Sequence, residues 1–254
     1  MIYDVQKAGL WKRISAYLFD VILLAIVAVG CAALLSAAVQ YDVHIAHRKE
    51  LQKNFENRYG VSFEISKQDY EALDPTAKKQ FDDAYLAFAK DAEVTRTDAL
   101  LTNLAMIITA FGILAAYVIL EFAIPLRLGN GQTLGKKIFG IALMRADGVR
   151  MGSLQLFIRT VLGKYTLETM LPLLLLLMWA LGVLPLFGIL GLGVLLVTQI
   201  ILLLAKPLRT PIHDMIAATV AVDLSSQLIF DSPEELMEYK KRIHAKEAEN
   251  AEYP

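Results

Sequence analysis

The chain has only one cysteine, Cys31, and three long stretches with almost no charge. A lone cysteine excludes any disulfide within the chain. Charge is scarcest in residues 14–39, 99–124 and 167–205. Apolar stretches of this length are typical of membrane spans and exclude an ordinary soluble domain.

Four membrane helices fit these apolar stretches. Hydrophobic residues make up 56% of the chain and the mean hydropathy is +0.48, above the soluble norm. One crossing needs about 20 apolar residues, so Ile14–Val39 and Ala99–Ile124 each provide one. Leu167–Ala205 suits two crossings, with a break at Gly182-Val183-Leu184-Pro185 where glycine and proline interrupt the helix. Kinks or a re-entrant element at Pro172 and Pro185 are the alternative. The predicted fold is an all-α integral membrane protein.

The net charge of −1 conceals an asymmetry between loops. Between Pro125 and Tyr165 there are seven basic residues and one acid, Asp147, whereas residues 41–98 contain more acids than bases. The positive-inside rule then places both termini and Pro125–Tyr165 in the cytoplasm and residues 41–98 outside. We expect a multi-pass protein of a bacterial plasma membrane. A cleaved signal peptide is disfavoured because the first apolar run is about twice a normal signal core and contains Asp20.

These boundaries divide the chain into seven segments. They are the N-terminus and first span (1–40), an extracytoplasmic helical segment (41–98), the second span (99–124), a basic cytoplasmic segment (125–165), the third and fourth spans (166–205), a cytoplasmic His-Asp segment with a short strand (206–223), and a charged C-terminal helix (224–254).

The outer segment has the sequence features of a small helical cap. Ser66 and Asp74 are placed to cap two helices, and Asp74 is followed by proline at the first helical position. Phe81, Tyr85 and Phe88 recur at helical spacing and form one aromatic stripe. The stripe is interpreted as the core of the cap, with a ligand-binding surface as the alternative.

The basic segment combines a predicted β-hairpin with a helix at the membrane surface. Ile141–Met151 has an Asp147-Gly148 turn between apolar-rich arms. The short β-branched run Thr219–Asp223 could pair with it in a small sheet. Ser153–Tyr165 alternates apolar residues with two cations, which suits an interfacial helix. Further on, Ser232-Pro233 marks the start of the C-terminal helix.

No metal or cofactor site is predicted. His44 and His47 are three residues apart, but no third ligand stands at a suitable spacing. Gly129–Lys137 is glycine-rich, yet its spacing does not match a phosphate-binding loop, and Lys137 stands where serine or threonine would hold magnesium. The glycine-rich segment instead suits lipid headgroups or closure over buried acids.

Four charged residues are the candidate ligand-binding or structural polar cluster: Arg13, Asp20, Glu121 and Asp214. Arg13 and Asp20 share one helix face, about 10 Å apart along the axis. If the first two spans pack antiparallel, Asp20 and Glu121 lie at similar depth. An ionised carboxylate in hydrocarbon costs several kcal/mol unless it is paired or wetted. The cluster is therefore either an inward-facing functional pocket or a structural set, satisfied by Arg13, Lys136 or backbone donors.

The remaining basic residues of interest, Lys136, Lys137, Arg159 and Lys164, are predicted to face lipid headgroups. Expected partners are membrane lipids and either further copies of the chain or another membrane protein. Nothing in the sequence points to nucleic acid. No enzyme is predicted because no catalytic constellation is visible. His213 and Asp214 are adjacent, so their side chains are expected to diverge.

Four ordered motifs resemble the RDD family of membrane proteins, named for one arginine and two aspartates. The motifs are Gly9-Leu10-Trp11-Lys12-Arg13-Ile14 leading to Asp20, Gly131-Gln132-Thr133-Leu134-Gly135-Lys136 with Gly140, the Asp147-Gly148 turn, and His213-Asp214-Met215-Ile216-Ala217-Ala218-Thr219. The resemblance implies that Arg13, Asp20 and Asp214 are the family's arginine and two aspartates. Ala218 departs from it, because a glycine is common there in relatives.

The resemblance implies a membrane fold more firmly than an activity. Transport has been suggested for the family, some members look like sodium/proton antiporters, and others are membrane anchors attached to unrelated domains. We expect a transporter or transporter subunit for a small cation or proton, using intramembrane acids near the cytoplasmic side. The alternative is a non-catalytic scaffold or accessory subunit that binds a partner protein or anionic lipid.

Overall fold

The computed structural model describes residues 5–180, 185–205 and 210–251. Of these described residues 77% are helical, and they form one small antiparallel sheet. The elements in chain order are α1 (Leu10–Ala38), α2 (Tyr41–Tyr59), α3 (Lys67–Ala72), α4 (Pro75–Lys90), α5 (Ala92–Tyr117), a first π-helical segment (Val118–Ala123), α6 (Ile124–Leu128), α7 (Leu134–Ile138), β1 (Ile141–Arg145), α8 (Ser153–Phe157), a second π-helical segment (Ile158–Met170), α9 (Leu171–Ala180), α10 (Pro185–Ala205), α11 (Ile212–Ile216), β2 (Thr219–Asp223) and α12 (Pro233–Ala251).

Three helices of the described chain are long and apolar enough to cross a membrane. They are Leu10–Ala38, Ala92–Leu128 and Ser153–Trp179, and a shorter apolar helix covers Leu186–Leu202. Four crossings stay a prediction, since the fourth helix is shorter than the others. The predicted break at Gly182-Val183-Leu184 lies outside the described residues.

The structure corrects the prediction of a separate interfacial helix at Ser153–Tyr165. Helix α8, the second π-helical segment and α9 follow one another without a break from Ser153 to Ala180, and Ser153–Trp179 forms one of the long apolar helices. The prediction was wrong because two cations in the run suggested a water-facing side. Both cations have acidic partners within the fold, described below.

The chain divides into two compact units, and the first comprises residues 1–28 and 113–254. Its sheet pairs β1 with β2 antiparallel, with Leu143 opposite Ala221, as expected for the two runs. Ala8 donates its N–H to the Ala221 carbonyl and so extends the sheet beyond β2. The predicted turn is present, because the Gly148 N–H donates to the Arg145 carbonyl. The sheet residues are almost fully buried and form a core of this unit.

Helices α9 and α10 of the first unit pack antiparallel through glycine. A Cβ added at Gly188 would lie 2.9 Å from the Leu175 carbonyl oxygen, and one at Gly191 would lie 3.1 Å from the Leu175 side chain. Further along the pair, Gln199 donates to Glu168. Small residues let helices approach closely inside a membrane. The hairpin thereby brings Glu168 and Gln199 together.

The C-terminal helix begins where the sequence predicts. The Ser232 hydroxyl accepts the Glu235 N–H at 3.2 Å, and α12 starts at Pro233. Leu236 is buried with Val149 and Phe230. The first turns of α12 are therefore held against the turn that follows β1.

The second unit, residues 29–112, is helical. Both predicted caps are confirmed: Ser66 accepts the Asp69 N–H, and Asp74 accepts from Thr76 and Ala77. Of the aromatic stripe, Phe88 is buried against Phe55, whereas Tyr85 is 54% exposed. Aromatic packing is thus the core of this unit, and one member of the stripe stays on the surface.

Candidate functional site

Asp20 is buried on α1 and is bonded by the glycine-rich segment. Its Oδ1 accepts the Gly135 N–H at 2.8 Å, and its Oδ2 accepts the Thr133 hydroxyl at 2.5 Å. The Lys136 Nζ stands 3.7 Å from Oδ2. A carboxylate bonded by two donors beside an ammonium can stay ionised at modest cost. Of the alternatives considered for satisfying Asp20, the structure supports a backbone donor and Lys136.

Gly135 is required at this position because α7 approaches α1 too closely for a side chain. A Cβ at Gly135 would overlap the Ala16 carbonyl oxygen and lie 2.8 Å from Oδ1 of Asp20. Thr133 caps α7 by accepting the Lys136 N–H. The segment Gly129–Lys137 therefore folds around a carboxylate of its own chain.

Glu121 lies in the first π-helical segment and is 5% exposed. Lys164 donates its Nζ to the Glu121 Oε1 at 2.5 Å, and Arg159 places Nη1 3.7 Å from Oε2. Among the described residues, neither that Nη1 nor that Oε2 has a hydrogen-bond partner. Glu121 is thus held by two cations, with one donor and one acceptor facing each other beyond hydrogen-bond distance.

The second π-helical segment explains how Arg159 and Lys164 reach the same acid. Five residues on an α-helix turn by about 140° beyond one full turn, which would point the two side chains apart. The wider π turn, with its i→i+5 hydrogen bonds, brings positions five apart towards one side. Such segments occur frequently at functional sites. The 3.6-residue periodicity used on the sequence therefore could not identify this pairing.

Asp214 is the second acid held by Arg159. The Arg159 Nε donates to the Asp214 Oδ1 at 2.7 Å, and the Thr219 hydroxyl donates to the same oxygen at 3.0 Å. Arg159 and Asp214 are 1% and 2% exposed. Arg159 thus connects Asp214 on α11 with Glu121 on the long helix Ala92–Leu128.

His213 connects Asp214 with Glu168 of the second π-helical segment and, through Glu168, with Gln199 of α10. Its Nδ1 lies 2.7 Å from the Glu168 Oε2, and its Nε2 lies 3.6 Å from the Asp214 Oδ1. Gln199 and the His213 backbone N–H both donate to the Glu168 Oε1. A Cβ at Gly163 would lie 2.5 Å from the His213 Cβ. The side chains of His213 and Asp214 do not diverge as expected, because these contacts hold both of them, on the five-residue α11, against the same charged cluster.

Burial and neighbouring charges shift the pKa values of charged groups on α7 and on α11. Burial alone would raise the pKa of the Asp214 carboxyl, but Arg159 and His213 together hold it well below its usual value. Burial lowers the pKa of His213, and this effect and Arg159 outweigh the opposing carboxylates of Asp214 and Glu168. Burial and the nearby Lys164 lower the pKa of Lys136 to about 8. Asp214 is thus ionised at neutral pH, and His213 is neutral with Nδ1–H directed at Glu168.

These side chains line one pocket of about 490 Å³ within the first unit. Its acids are Asp20, Glu168 and Asp214, and its cations are Arg13, Lys136, Arg159 and Lys164. A smaller gap beside it is lined by Asp20, Glu121 and Leu134. The structure therefore brings Arg13, Asp20, Glu121 and Asp214 into one neighbourhood.

The four basic residues predicted to face lipid headgroups differ in their exposure. Arg159 and Lys164 are buried in ion pairs, so their assignment to lipid headgroups was wrong. Lys136 is also largely enclosed, with a side chain 12% exposed. Lys137 alone of the four is exposed. Buried acids attract these cations inward because an unpaired carboxylate would be costlier than a buried pair.

Sequence reasoning missed the site roles of Thr133, Gln199 and Thr219. Gln199 had a visible signal, since it stands in an otherwise apolar helix, where a polar side chain needs a partner. Thr133 had none, because its partner Asp20 lies 113 residues away, and Thr219 had none although its partner Asp214 lies only five residues before it. The unusual backbone of Ala218 also bears on the site: its φ of +52° lies in the left-handed region. Glycine adopts that region without strain, which explains why relatives favour it there.

A chain with three long apolar helices and a pocket of buried ion pairs is an integral membrane protein. The protein belongs to the RDD family, whose model matches residues 7–218. Arg13, Asp20 and Asp214 all lie within the matched residues. No curated protein and no solved structure matches the chain.

Proposed function

We propose that the protein is a transporter or transporter subunit that exchanges protons at this pocket, coupled to movement of a small solute. One observation carries the proposal: acidic and basic side chains follow one another at short distances along the pocket and the smaller gap beside it. The series runs Lys164, Glu121, Arg159, Asp214, His213, Glu168 and Gln199, with successive polar atoms no more than 3.7 Å apart. Intramembrane chains of Asp, Glu and His are typical of proton relays.

The proton is favoured over a small metal cation. Both oxygens of Asp20 and both oxygens of Glu168 already accept hydrogen bonds from the chain. A metal cation would have to displace those donors, whereas a proton can move along an existing hydrogen bond such as that between His213 and Glu168. His213 is suited to this step because a neutral imidazole can donate a proton from one ring nitrogen and accept one at the other.

The proposal includes the orientation. The basic residues of Pro125–Tyr165 support a cytoplasmic opening of the pocket, with both termini in the cytoplasm of a plasma-membrane protein. Green fluorescent protein fused after Pro254 is expected to fluoresce in a bacterial host. A dark fusion of normal abundance would contradict this orientation.

The decisive experiment measures proton movement in proteoliposomes holding a pH-sensitive dye, driven by a potassium diffusion potential. Wild type is expected to move protons faster than protein-free liposomes, and Glu168→Gln to lose at least about tenfold of that rate. Glu93→Gln is the matched control, because Glu93 is an exposed acid of the second unit that also pairs with a histidine, His47. Equal rates for wild type and Glu168→Gln, or no rate above empty liposomes, would contradict the proposal.

A scaffold or accessory subunit is the second candidate. It is favoured because the pocket acids already accept hydrogen bonds from the chain. Asp20 is bonded by Thr133 and Gly135, and Gly135 and Gly163 each allow a close approach that fixes one element against another. Asp20→Asn would then lower the melting temperature and weaken co-purification with a membrane partner. Unchanged melting and a partner-free preparation would count against this role. Neither candidate requires enzymatic chemistry.

A further inference from the structure

The pocket is lined by apolar as well as charged side chains. Leu10 and Ile14 of α1 line it together with Ile141 and Ala221 of the sheet, beside the charged residues of the site. Its volume of about 490 Å³ falls within the roughly 300–1,000 Å³ of small-molecule sites. A lining that combines charged and apolar side chains matches a ligand with a polar head and an apolar tail.

Within the part of the chain that the structure describes, the two pocket lysines have more N–H groups than hydrogen-bond partners. Asp20 and Glu168 each receive donors on both oxygens. The Lys136 ammonium has three N–H groups, of which one donates to the Thr133 hydroxyl and another can point to Asp20 at 3.7 Å. The Lys164 ammonium donates to Glu121 and has two further N–H groups. A ligand bound at these two lysines must therefore supply hydrogen-bond acceptors.

Lys136 is affected by the charges of two other cations, Lys164 and Arg159. Burial lowers its pKa most, Lys164 and Arg159 lower it further, and Glu121 and Asp20 offset only part of that effect. An anion bound beside Lys136 would relieve the repulsion among these three cations. A second cation placed there would increase it.

We propose that the pocket binds an anionic amphiphile, with its carboxylate or phosphate head on Lys136 and Lys164 and its apolar chain along Leu10 and Ile14. The inference rests on the proposed transport function and names the chemical class of its solute. Two sources share this chemistry: an anionic lipid of the surrounding bilayer and a free amphiphile such as a long-chain carboxylate. In either case the head replaces water at the ammonium groups and no covalent step is involved.

The test uses the full-length protein in phosphatidylcholine nanodiscs, with dodecanoate and dodecyl phosphate titrated by calorimetry against empty nanodiscs. Both anions are expected to bind the protein. Dodecanol, which has the same chain without charge, and dodecyltrimethylammonium, which has the opposite charge, are expected to bind at least about tenfold more weakly. Binding of the neutral or cationic probe as tight as that of dodecanoate would overturn the inference.

Adjacent lysines provide a matched pair of variants. Lys136→Gln is expected to weaken dodecanoate binding at least tenfold, whereas Lys137→Gln, at the exposed neighbour, is expected to stay within about twofold of wild type. Leu10→Glu covers the case in which Lys136→Gln does not fold. Leu10 is 47% exposed at the start of α1, where an acid is compatible with the helix, and Glu there is expected to repel the anion while Leu10→Gln does not. Wild-type affinity in Lys136→Gln or in Leu10→Glu would overturn the inference.

The two sources are separated by nanodiscs in which part of the phosphatidylcholine is replaced by phosphatidic acid. Loss of dodecanoate binding there identifies the lipid as the occupant, and unchanged binding identifies the free amphiphile. Failure of this inference is distinguishable from failure of the proposed function. Proton movement without anion binding removes only the solute class, whereas anion binding without proton movement removes the transport function and leaves a binding site.

Discussion

The two compact units differ in how deeply their least exposed ion pairs are buried. In the second unit the ion pairs lie in the open: Arg48 and Asp98 pair with side chains 33% and 50% exposed, around an aromatic core that includes Phe55 and Phe88. In the first unit Arg159 and Asp214 pair with side chains each 2% exposed. Water can replace a lost partner in the first case and not in the second. Similar chemistry therefore has a different energetic role in each unit.

The largest effect is expected from removing the cation shared by two buried acids. Arg159→Met leaves Asp214 without its nearest cation and Glu121 with one cation fewer, so the free energy of unfolding should fall by about 3–5 kcal/mol. The matched change in the second unit, Arg48→Gln, should cost about 1 kcal/mol or less. Denaturation by sodium dodecyl sulfate in mixed micelles measures both. Similar losses in the two variants would break the comparison.

A pH effect should follow from Lys136. Its pKa in the fold is about 8, against 10.5 for the free side chain, because burial, Lys164 and Arg159 outweigh Glu121 and Asp20. Between pH 8 and 10.5 the unfolded chain binds the proton and the fold does not, so stability due to this group rises with pH, by up to about 3 kcal/mol. Lys136→Met removes the rise. Melting temperatures at pH 7.5 and 10 check it, and a parallel change in both proteins would argue against it.

The close approach at Gly135 gives a smaller effect. Gly135→Ala must displace the Ala16 carbonyl or the Asp20 carboxylate, which should cost about 1–3 kcal/mol. Gly152→Ala is the control, since a Cβ there meets nothing within 4 Å, and it should change stability by no more than about 0.5 kcal/mol. Thermal unfolding monitored by circular dichroism ranks the two. Equal melting temperatures would show that α7 can move away from α1.

The smallest effect is a gain. Ala218 has a φ of +52°, so Ala218→Gly relieves left-handed strain but adds freedom to the unfolded chain, for a net gain of about 0.5–1 kcal/mol. Ala217, with a φ of −84°, is unstrained, and Ala217→Gly should lose stability instead. A melting temperature that falls in both variants would contradict the strain at Ala218.

Local features of the fold could be predicted from the sequence. The caps at Ser66 and Asp74, the start of α12 at Pro233 and the pairing of β1 with β2 all depend on neighbouring residues or on one simple alternation. The first two long apolar helices follow from hydropathy alone. Such signals need no knowledge of the tertiary structure.

The partners of the buried charges could not be predicted in the same way. The sequence indicates that Asp20 needs hydrogen-bond donors, but its donors Thr133 and Gly135 lie more than 100 residues away along the chain. The bonding of Lys164 and Arg159 to one acid depends on a π-helical backbone, which no side-chain period reveals. Arg159 and Lys164, which were predicted to face lipid headgroups, are therefore buried beside acids whose positions the sequence did not indicate.

The central claim is that Glu121 and Asp214 belong to one network through Arg159, although no hydrogen bond joins the two acids directly. A double-mutant cycle with Glu121→Gln, Asp214→Asn and the double variant, read as the free energy of unfolding, tests it most directly. The network predicts a coupling of more than about 1 kcal/mol, because loss of either acid changes what Arg159 offers the other. Additive losses within about 0.5 kcal/mol would contradict it and leave two independent ion pairs.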